Sequence, residues 1–189
     1  QYNSATQTNV NNPDLKWEET RSTNIGLDAT SKNGRIYGSF DYYHKNTTNL
    51  IFQDVPIAPA PSGTYFRNIN ANLINSGVEL GIGATIIEKS NLQWDVNFNL
   101  AFNKNKLTNF KASRILTGQI NGQGVSGTLG QIIDNNYPVN EYFLKPFGGF
   151  DASGNQIIGA SQQYAGDPNP STNYGFSTTV RYKKLSVVI

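Results

Sequence analysis

The 189-residue chain has no cysteine and no methionine, and a single histidine. Without cysteine there is no disulfide framework, no thiolate nucleophile and no thiolate zinc site. Charge is scarce as well, at 15% Asp, Glu, Lys and Arg against roughly 25% in typical soluble domains. The net charge is +2 and the 15 basic residues are scattered, so nothing suggests a nucleic-acid partner. No apolar run approaches the roughly 18 residues of a transmembrane helix, and the first residues do not read as a signal peptide. The lack of an initiating Met, and a last patterned run that stops at Leu185-Ser-Val-Val-Ile189, give the expectation of a piece of a larger protein. What is plentiful is Asn, the commonest residue, together with ten Tyr and ten Phe.

Helical periodicity is missing from any useful length, whereas period-two alternation is strong. From position 92 to 102, Leu92, Trp94, Val96, Phe98, Leu100 and Phe102 fall on one face, and Gln93, Asp95, Asn97, Asn99 and Ala101 on the other. Successive strand side chains point to opposite sides, so such a strand is greasy on one face and wet on the other. Positions 77–87 repeat the pattern, with Val78, Leu80, Ile82, Ala84 and Ile86 opposite Glu79, Gly81, Gly83 and Thr85. So do positions 35–45, where Ile36, Gly38, Phe40 and Tyr42 alternate with Tyr37, Ser39, Asp41 and Tyr43. Weaker runs at 23–30 and 174–183, and a start at Leu185, bring the expectation to five strands and the opening of a sixth.

The connections alternate between short and long. Ser31-Lys-Asn-Gly34, Glu88-Lys-Ser-Asn91 and Lys183-Lys184 are tight; stretches from about Leu50 to Phe66 and from about Leu107 to Asn173 are long. Antiparallel outer-membrane barrels have this parity, with short periplasmic turns and long extracellular loops. The patterned runs are also long enough, since a tilted strand needs about 9–11 residues to cross a bilayer. The three best apolar faces carry no charge; Asp41, Glu79 and Asp95 all lie opposite. Tyr42, Tyr43, Trp94, Phe102 and Tyr182 are candidates for interface girdles.

Asn12-Pro-Asp-Leu-Lys-Trp-Glu-Glu19 followed by Thr23-Asn-Ile-Gly-Leu-Asp28 resembles a signature in the barrel of SusC/RagA-like TonB-dependent outer-membrane transporters. Gly38-Ser-Phe-Asp-Tyr-Tyr43 is similar to a strand of that family, and residues 68–80 are similar to its next one, with Ala71 and Ile74 where the family has glycines. The aromatic segment from Tyr137 to Asp151 and Gly166-Asp-Pro-Asn-Pro170 look like its late loop. The resemblance implies an all-β, antiparallel transmembrane β-barrel fragment: five to six strands of a 22-stranded barrel, residues 1–189 lying in its C-terminal half. It further implies nutrient import of oligosaccharide or peptide, with the plug and closing strands outside this chain. The implied partners are the rest of the barrel and its plug, a SusD-like surface lipoprotein, TonB acting through the plug, and the lipid bilayer of a Gram-negative outer membrane.

Catalytic chemistry finds no foothold. His44 ends an aromatic strand with no nucleophile motif nearby, and zinc-type ligand clusters are missing. Glu18 and Glu19 are adjacent on a strand and face opposite ways, which makes them poor acid/base partners. Asp151-Ala-Ser-Gly-Asn155 lacks the spacing and terminal Glu of a calcium loop and reads as a turn. Gly118-Gln-Ile-Asn-Gly-Gln-Gly124 is not followed by a helix or by Gly-Lys-Ser/Thr, so it does not read as a phosphate cradle. No enzyme, cofactor or metal is expected. Binding is the remaining chemistry. Tyr65, Phe66, Tyr137, Tyr142, Phe143, Phe147 and Phe150 are the candidate substrate-binding residues, with Asn68, Asn135, Asn136 and Asn140 as hydrogen-bonding neighbours. Ile36, Phe40, Val78, Leu80, Ile82, Leu92, Trp94, Val96, Phe98, Leu100 and Phe102 are the candidate lipid-facing residues. Two other readings stay open at this point: a passive porin or adhesin barrel, and a soluble carbohydrate-binding β-sandwich.

Overall fold

Every described element is a strand. The computed structural model describes residues 9–54, 64–122 and 125–189. In chain order the strands are β1 (Asn9–Val10), β2 (Glu19–Thr30), β3 (Ile36–Thr48), β4 (Leu50–Asp54), β5 (Thr64–Ile69), β6 (Asn72–Lys89), β7 (Leu92–Thr108) and β8 (Ile115–Gly122). They continue with β9 (Val125–Ile133), β10 (Glu141–Leu144), β11 (Phe147–Phe150), β12 (Gln156–Ile158), β13 (Gln163–Tyr164), β14 (Thr172–Tyr182) and β15 (Leu185–Val188). Six of them form one sheet in the order β15-β14-β7-β6-β3-β2, all pairs antiparallel. These are the five strands and the opening sixth expected from alternation, but longer: β6 has 18 residues and β7 has 17.

The tight turns work as their residues allow. Between β2 and β3, Gly34 takes φ 71°, and its N–H donates to the Ser31 carbonyl at 2.8 Å. Asn33 contributes through its side chain, whose oxygen accepts from Ser31 Oγ at 2.8 Å and from the Arg35 N–H at 3.2 Å. The positive φ expected of an Asn-Gly pair is thus carried by the glycine alone. The β14–β15 turn instead uses Lys183 at φ 53°.

Register converts alternation on single strands into rows across the sheet. Leu27, Phe40, Leu80, Leu100 and Tyr174 are successive partners; so are Ala29, Gly38, Ile82, Phe98 and Phe176. Ile25, Tyr42, Val78, Phe102 and Thr172 form the row on one side of these, and Ile36, Ala84, Val96 and Thr178 the row on the other. Trp94 with Val180, and Leu92 with Tyr182, extend the same face to the short-turn end. The eleven candidate lipid-facing residues share this one face of the sheet. From Leu92 to Phe102 the band runs about 34 Å along the strand, or about 26 Å in height at a 40° tilt, close to the roughly 25 Å apolar band of outer-membrane barrels. Tyr43 is the correction: it pairs with Gly77 on the polar face, because it is one residue from Tyr42 and strand neighbours point oppositely.

A β-bulge interrupts the register between Thr85 and Ile87. Thr85 opposes Asp95 and Ile87 opposes Trp94, so Ile86 is the inserted residue. Strict alternation from Val78 through Ile86 would put Glu88 on the apolar face. The extra residue moves it to the polar one, opposite Gln93 and 3.6 Å from Arg35.

Among the described residues, no second sheet covers the apolar band. Phe98 is 37% exposed, Ile82 47%, Phe176 64% and Leu27 68%. Among the described residues, the buried hydrophobic ones, Ile69, Ala71, Leu107, Phe110, Ile132 and Phe143, gather at the other end of the long strands. There the connections expected as loops carry strands of their own: β4 and β5 pair together with β1, and β8, β9, β10 and β13 form a four-stranded sheet. The soluble sandwich does not fit this arrangement, because its defining core between two sheets has no counterpart on the apolar band.

Candidate binding site

The polar face is built from side chains that lean over glycines. Tyr37 on β3 passes over Gly83 on β6, and its hydroxyl donates to Asn97 Oδ1 on β7 at 2.7 Å. Six residues along each strand, Tyr43 passes over Gly77 and donates to Asn103 Oδ1 at 2.6 Å. A Cβ on Gly83 would run into the Tyr37 ring, and one on Gly77 would lie 2.6 Å from Tyr43 Cε1 and 2.5 Å from the Phe102 carbonyl oxygen. Glycine is therefore required so that one tyrosine can bridge three strands. Nearer the short turns Asp95 accepts from Thr85 Oγ1 at 2.8 Å, from Gln93 Nε2 at 3.0 Å and from Arg181 Nη1 at 2.7 Å. Asp41 and Glu79 face each other in register between Gly26 and Ala101.

At the long-loop end lie two hollows, the second of them on the polar face. One, of about 710 Å³, is lined by Asn12, Asn49, Asn68, Asn70 and Asn72 with Asp14, Lys16 and Arg67. The other, of about 420 Å³, is lined by Tyr43, Asn75, Asn103, Asn105, Asn140 and Asp167. Amide side chains offer both donors and acceptors without charge, which suits neutral polar ligands such as glycans and peptide backbones. Of these, sequence reasoning picked out Asn68 and Asn140 only. The signal that would have found more was the Asn-rich spacing at 68, 70, 72 and 75 and at 103 and 105.

Several amides are already committed to structure. Asn68 Nδ2 donates to the carbonyls of Lys16 at 2.9 Å and Asn49 at 2.7 Å, and its Oδ1 accepts the Lys16 N–H at 2.7 Å. With Asn12 Nδ2 donating to the Phe66 carbonyl at 2.8 Å and Glu18 Oε1 accepting from the Ile51 N–H at 2.8 Å, these bonds tie the segment before β2 down onto β4 and β5. Asn68→Ala removes three bonds at once. We expect release of residues 9–18, seen as a local rise in amide hydrogen exchange, at a cost of about 1–3 kcal/mol; unchanged protection there would count against this role. Asn135 Oδ1 accepts the Phe110 N–H at 3.1 Å, Asn140 Oδ1 accepts from Thr117 at 3.2 Å, and Asn136 takes a turn position at φ 69°.

The seven candidate aromatics fall into separate groups. Tyr137 stacks on Tyr164 with centroids 3.8 Å apart, and Phe143, buried at 9% exposure, meets the same Tyr164 at 5.3 Å. These two pack the loop layer. Tyr65 and Phe66 lie on β5 near the larger hollow, with Phe66 39% exposed. Tyr142 on β10 is 40% exposed, while Phe147 and Phe150 touch edge to face at 5.4 Å on the β11–β12 hairpin. They do not form one platform.

Tyr164 was not singled out from sequence, yet it centres this cluster. Its hydroxyl donates to Asp134 Oδ2 at 2.5 Å, and that bond raises its pKa from 10.0 to about 12. A raised folded-state value means the contact stabilises fully below pH about 10 and is lost as pH rises through about 12. Alkaline titration should show one tyrosine ionising late, a step that disappears in Tyr164→Phe; an unchanged profile in that variant would contradict the assignment. Asp151 closes its own turn, accepting the N–H groups of Ser153 at 2.8 Å and Asn155 at 2.9 Å, and these bonds hold its carboxyl below the usual range. Among the described residues no group of three or more His, Cys, Asp or Glu stands ready to hold a metal ion.

Comparison with known proteins agrees with this architecture. The family described as "TonB dependent receptor-like, beta-barrel" matches residues 1–187. A TonB-dependent receptor of Formosa agariphila is 30% identical over 199 aligned residues, covering 92% of this chain and 20% of the relative. TonB-dependent receptor SusC of Bacteroides thetaiotaomicron is 34% identical over 108 residues, covering 57% of this chain and 11% of its own length. Among solved structures, the RagAB peptide importer in its open-open state superposes with a TM-score of 0.75 at 22% identity, over 96% of this chain and 21% of that one. The chain thus spans about a fifth or less of the length of these relatives. With the family match covering nearly every residue and the wall of register-matched strands to go with it, the chain belongs to the TonB-dependent receptor β-barrel family.

Proposed function

We propose that this chain is a wall segment, with its extracellular loops, of an outer-membrane transporter that imports an oligosaccharide or peptide with TonB-derived energy. The observation that carries the reading is the apolar band: uncharged, open to the outside, about as tall as a membrane, and backed by a polar face rich in Asn. The eleven apolar-face residues contact lipid. The polar face lines the lumen, and the remaining strands and the plug belong to the rest of the protein. The loop layer meets a SusD-like lipoprotein, a partnership in keeping with similarity to SusC and RagAB. The passive-porin alternative lacks the family membership that supports energy coupling.

Substrate contacts come from the loop aromatics that remain exposed, Phe66 and Tyr142 foremost, beside the amide-lined hollows. Tyr137 and Phe143 serve by holding the loop layer. The test is ligand binding to the full-length receptor complex, with Phe66→Ala and Tyr142→Ala variants. An aromatic contact is worth about 0.5–1.5 kcal/mol beyond its area, so each variant should bind the imported ligand about three- to tenfold more weakly with unchanged assembly. Equal affinity in both variants would remove these residues from the site.

A further inference from the structure

A side-chain amide carries a donor and an acceptor, but the second hollow does not present the two alike. The Val139 N–H can only donate, so at 2.9 Å it fixes Asn105 Oδ1 toward itself. Asn105 Nδ2 then donates to Asn75 Oδ1 at 2.6 Å, which leaves Nδ2 as the free end of Asn75 in the hollow's lining. Asn103 and Asn140 repeat the arrangement, their oxygens accepting from the Tyr43 hydroxyl at 2.6 Å and from Thr117 at 3.2 Å. Among the described residues, nothing accepts from Nδ2 of Asn75, Asn103 or Asn140. All three are half-buried. The acceptor-bearing pair Asp167 and Asn169, bonded to each other at 3.0 Å, is exposed. The sheltered part of the lining is therefore a set of N–H donors.

We propose that this hollow binds an extended peptide main chain by its carbonyl oxygens. The inference rests on the importer reading above and selects between the two ligand classes which that reading allows. Donors without matching acceptors suit a carbonyl, which only accepts. A sugar hydroxyl held there would need an acceptor for its own proton as well. Spacing points the same way. Asn75 faces Asn105 across β6 and β7, so Asn103 is its diagonal neighbour, about 7–8 Å away. Carbonyls on one side of an extended chain recur at every second residue, about 6.6–6.8 Å apart. Asn75 and Asn103 thus serve two successive carbonyls of one side, and Asn140 supplies a third donor from the loop layer.

The experiment uses the full-length receptor complex in neutral detergent, with native mass spectrometry as the readout. The probes are a pool of uncharged pentapeptides capped at both ends, chitopentaose as an N-acetylated glycan, and maltopentaose as a glycan without amides. Asn75→Asp with Asn103→Asp keeps each engaged oxygen and turns each free donor into an acceptor. This double variant should bind the pool at least fivefold more weakly, since each lost hydrogen bond is worth about two- to twelvefold. Asn140→Asp should weaken binding about two- to twelvefold, and it carries the test if the double variant does not assemble. Asn24→Asp adds the same charge to the polar face outside this hollow and should leave binding unchanged. Undiminished pool binding in the aspartate variants of Asn75, Asn103 and Asn140 would overturn the proposal. So would a wild-type receptor that binds no member of the pool; its binding either glycan instead would leave the importer reading standing. Vesicle insertion of the wild type is scored separately, and its failure would overturn the wall reading itself.

Discussion

Phe98→Lys should all but abolish accumulation of the receptor in the membrane. Phe98 sits in the middle row of the apolar band, between Ile82 and Phe176. A lysine on the lipid face at mid-membrane costs roughly 2–4 kcal/mol, and the lost aromatic adds to that. Three residues along the same strand, Ala101→Lys should be tolerated. Ala101 belongs to the polar face and pairs with Glu79, which itself opposes Asp41. A cation there meets two carboxylates, and an opposite-charge cross-strand pair contributes about 0.2–1 kcal/mol. The pair of variants separates the faces using one strand and one chemistry. Membrane-fraction levels of the full-length receptor give the readout; equal loss in both would deny that the two faces see different surroundings.

The second large effect concerns the tyrosines that bridge over glycine. Gly83→Ala should cost about 1–3 kcal/mol from overpacking, plus about 1 kcal/mol for the Tyr37–Asn97 hydrogen bond it breaks. The atoms a Cβ at Gly83 would strike all belong to Tyr37, so adding Tyr37→Ala should relieve most of the overpacking. Gly77→Ala should behave differently. Its Cβ would meet the Phe102 carbonyl oxygen at 2.5 Å as well as Tyr43, and backbone cannot swing away, so Tyr43→Ala should rescue little. Thermal or denaturant unfolding of the four single and two double variants measures this as a difference in coupling. Equal rescue at both positions would contradict the assigned geometry.

What was legible in the sequence, and what was not, follows from the range of the interactions. Alternation in 92–102 depends only on neighbours along one strand, so it marked the apolar face residue by residue. The Gly34 turn is equally local. The bulge at Ile86 was hidden, because Thr85-Ile86-Ile87-Glu88 reads as alternation gone slightly wrong until a partner strand shows two residues opposing Trp94. The tyrosine bridges were hidden for the same reason: Tyr37 and Asn97 are 60 positions apart, and only register brings Gly83 between them. In the long connections, the strands of the loop layer answer to Ile69, Ala71, Leu107 and Phe110 packing at the end of the wall, with Ile115 and Ile133 against them, a contact set with no local period. The ring contacts of Tyr137 and Phe143 with Tyr164 were hidden in the same way.

The central claim is that β7 divides lipid from lumen, and the absence of native cysteine from this segment makes it directly measurable. Single cysteines placed at each position from 92 to 102 in the full-length receptor, spin-labelled and reconstituted in bilayers, report accessibility to oxygen and to a water-soluble relaxant. The account predicts strict alternation: oxygen-accessible labels at 92, 94, 96, 98, 100 and 102, and water-accessible or protein-shielded labels at the positions between. Water accessibility on both faces, or the lack of a two-residue period, would contradict it.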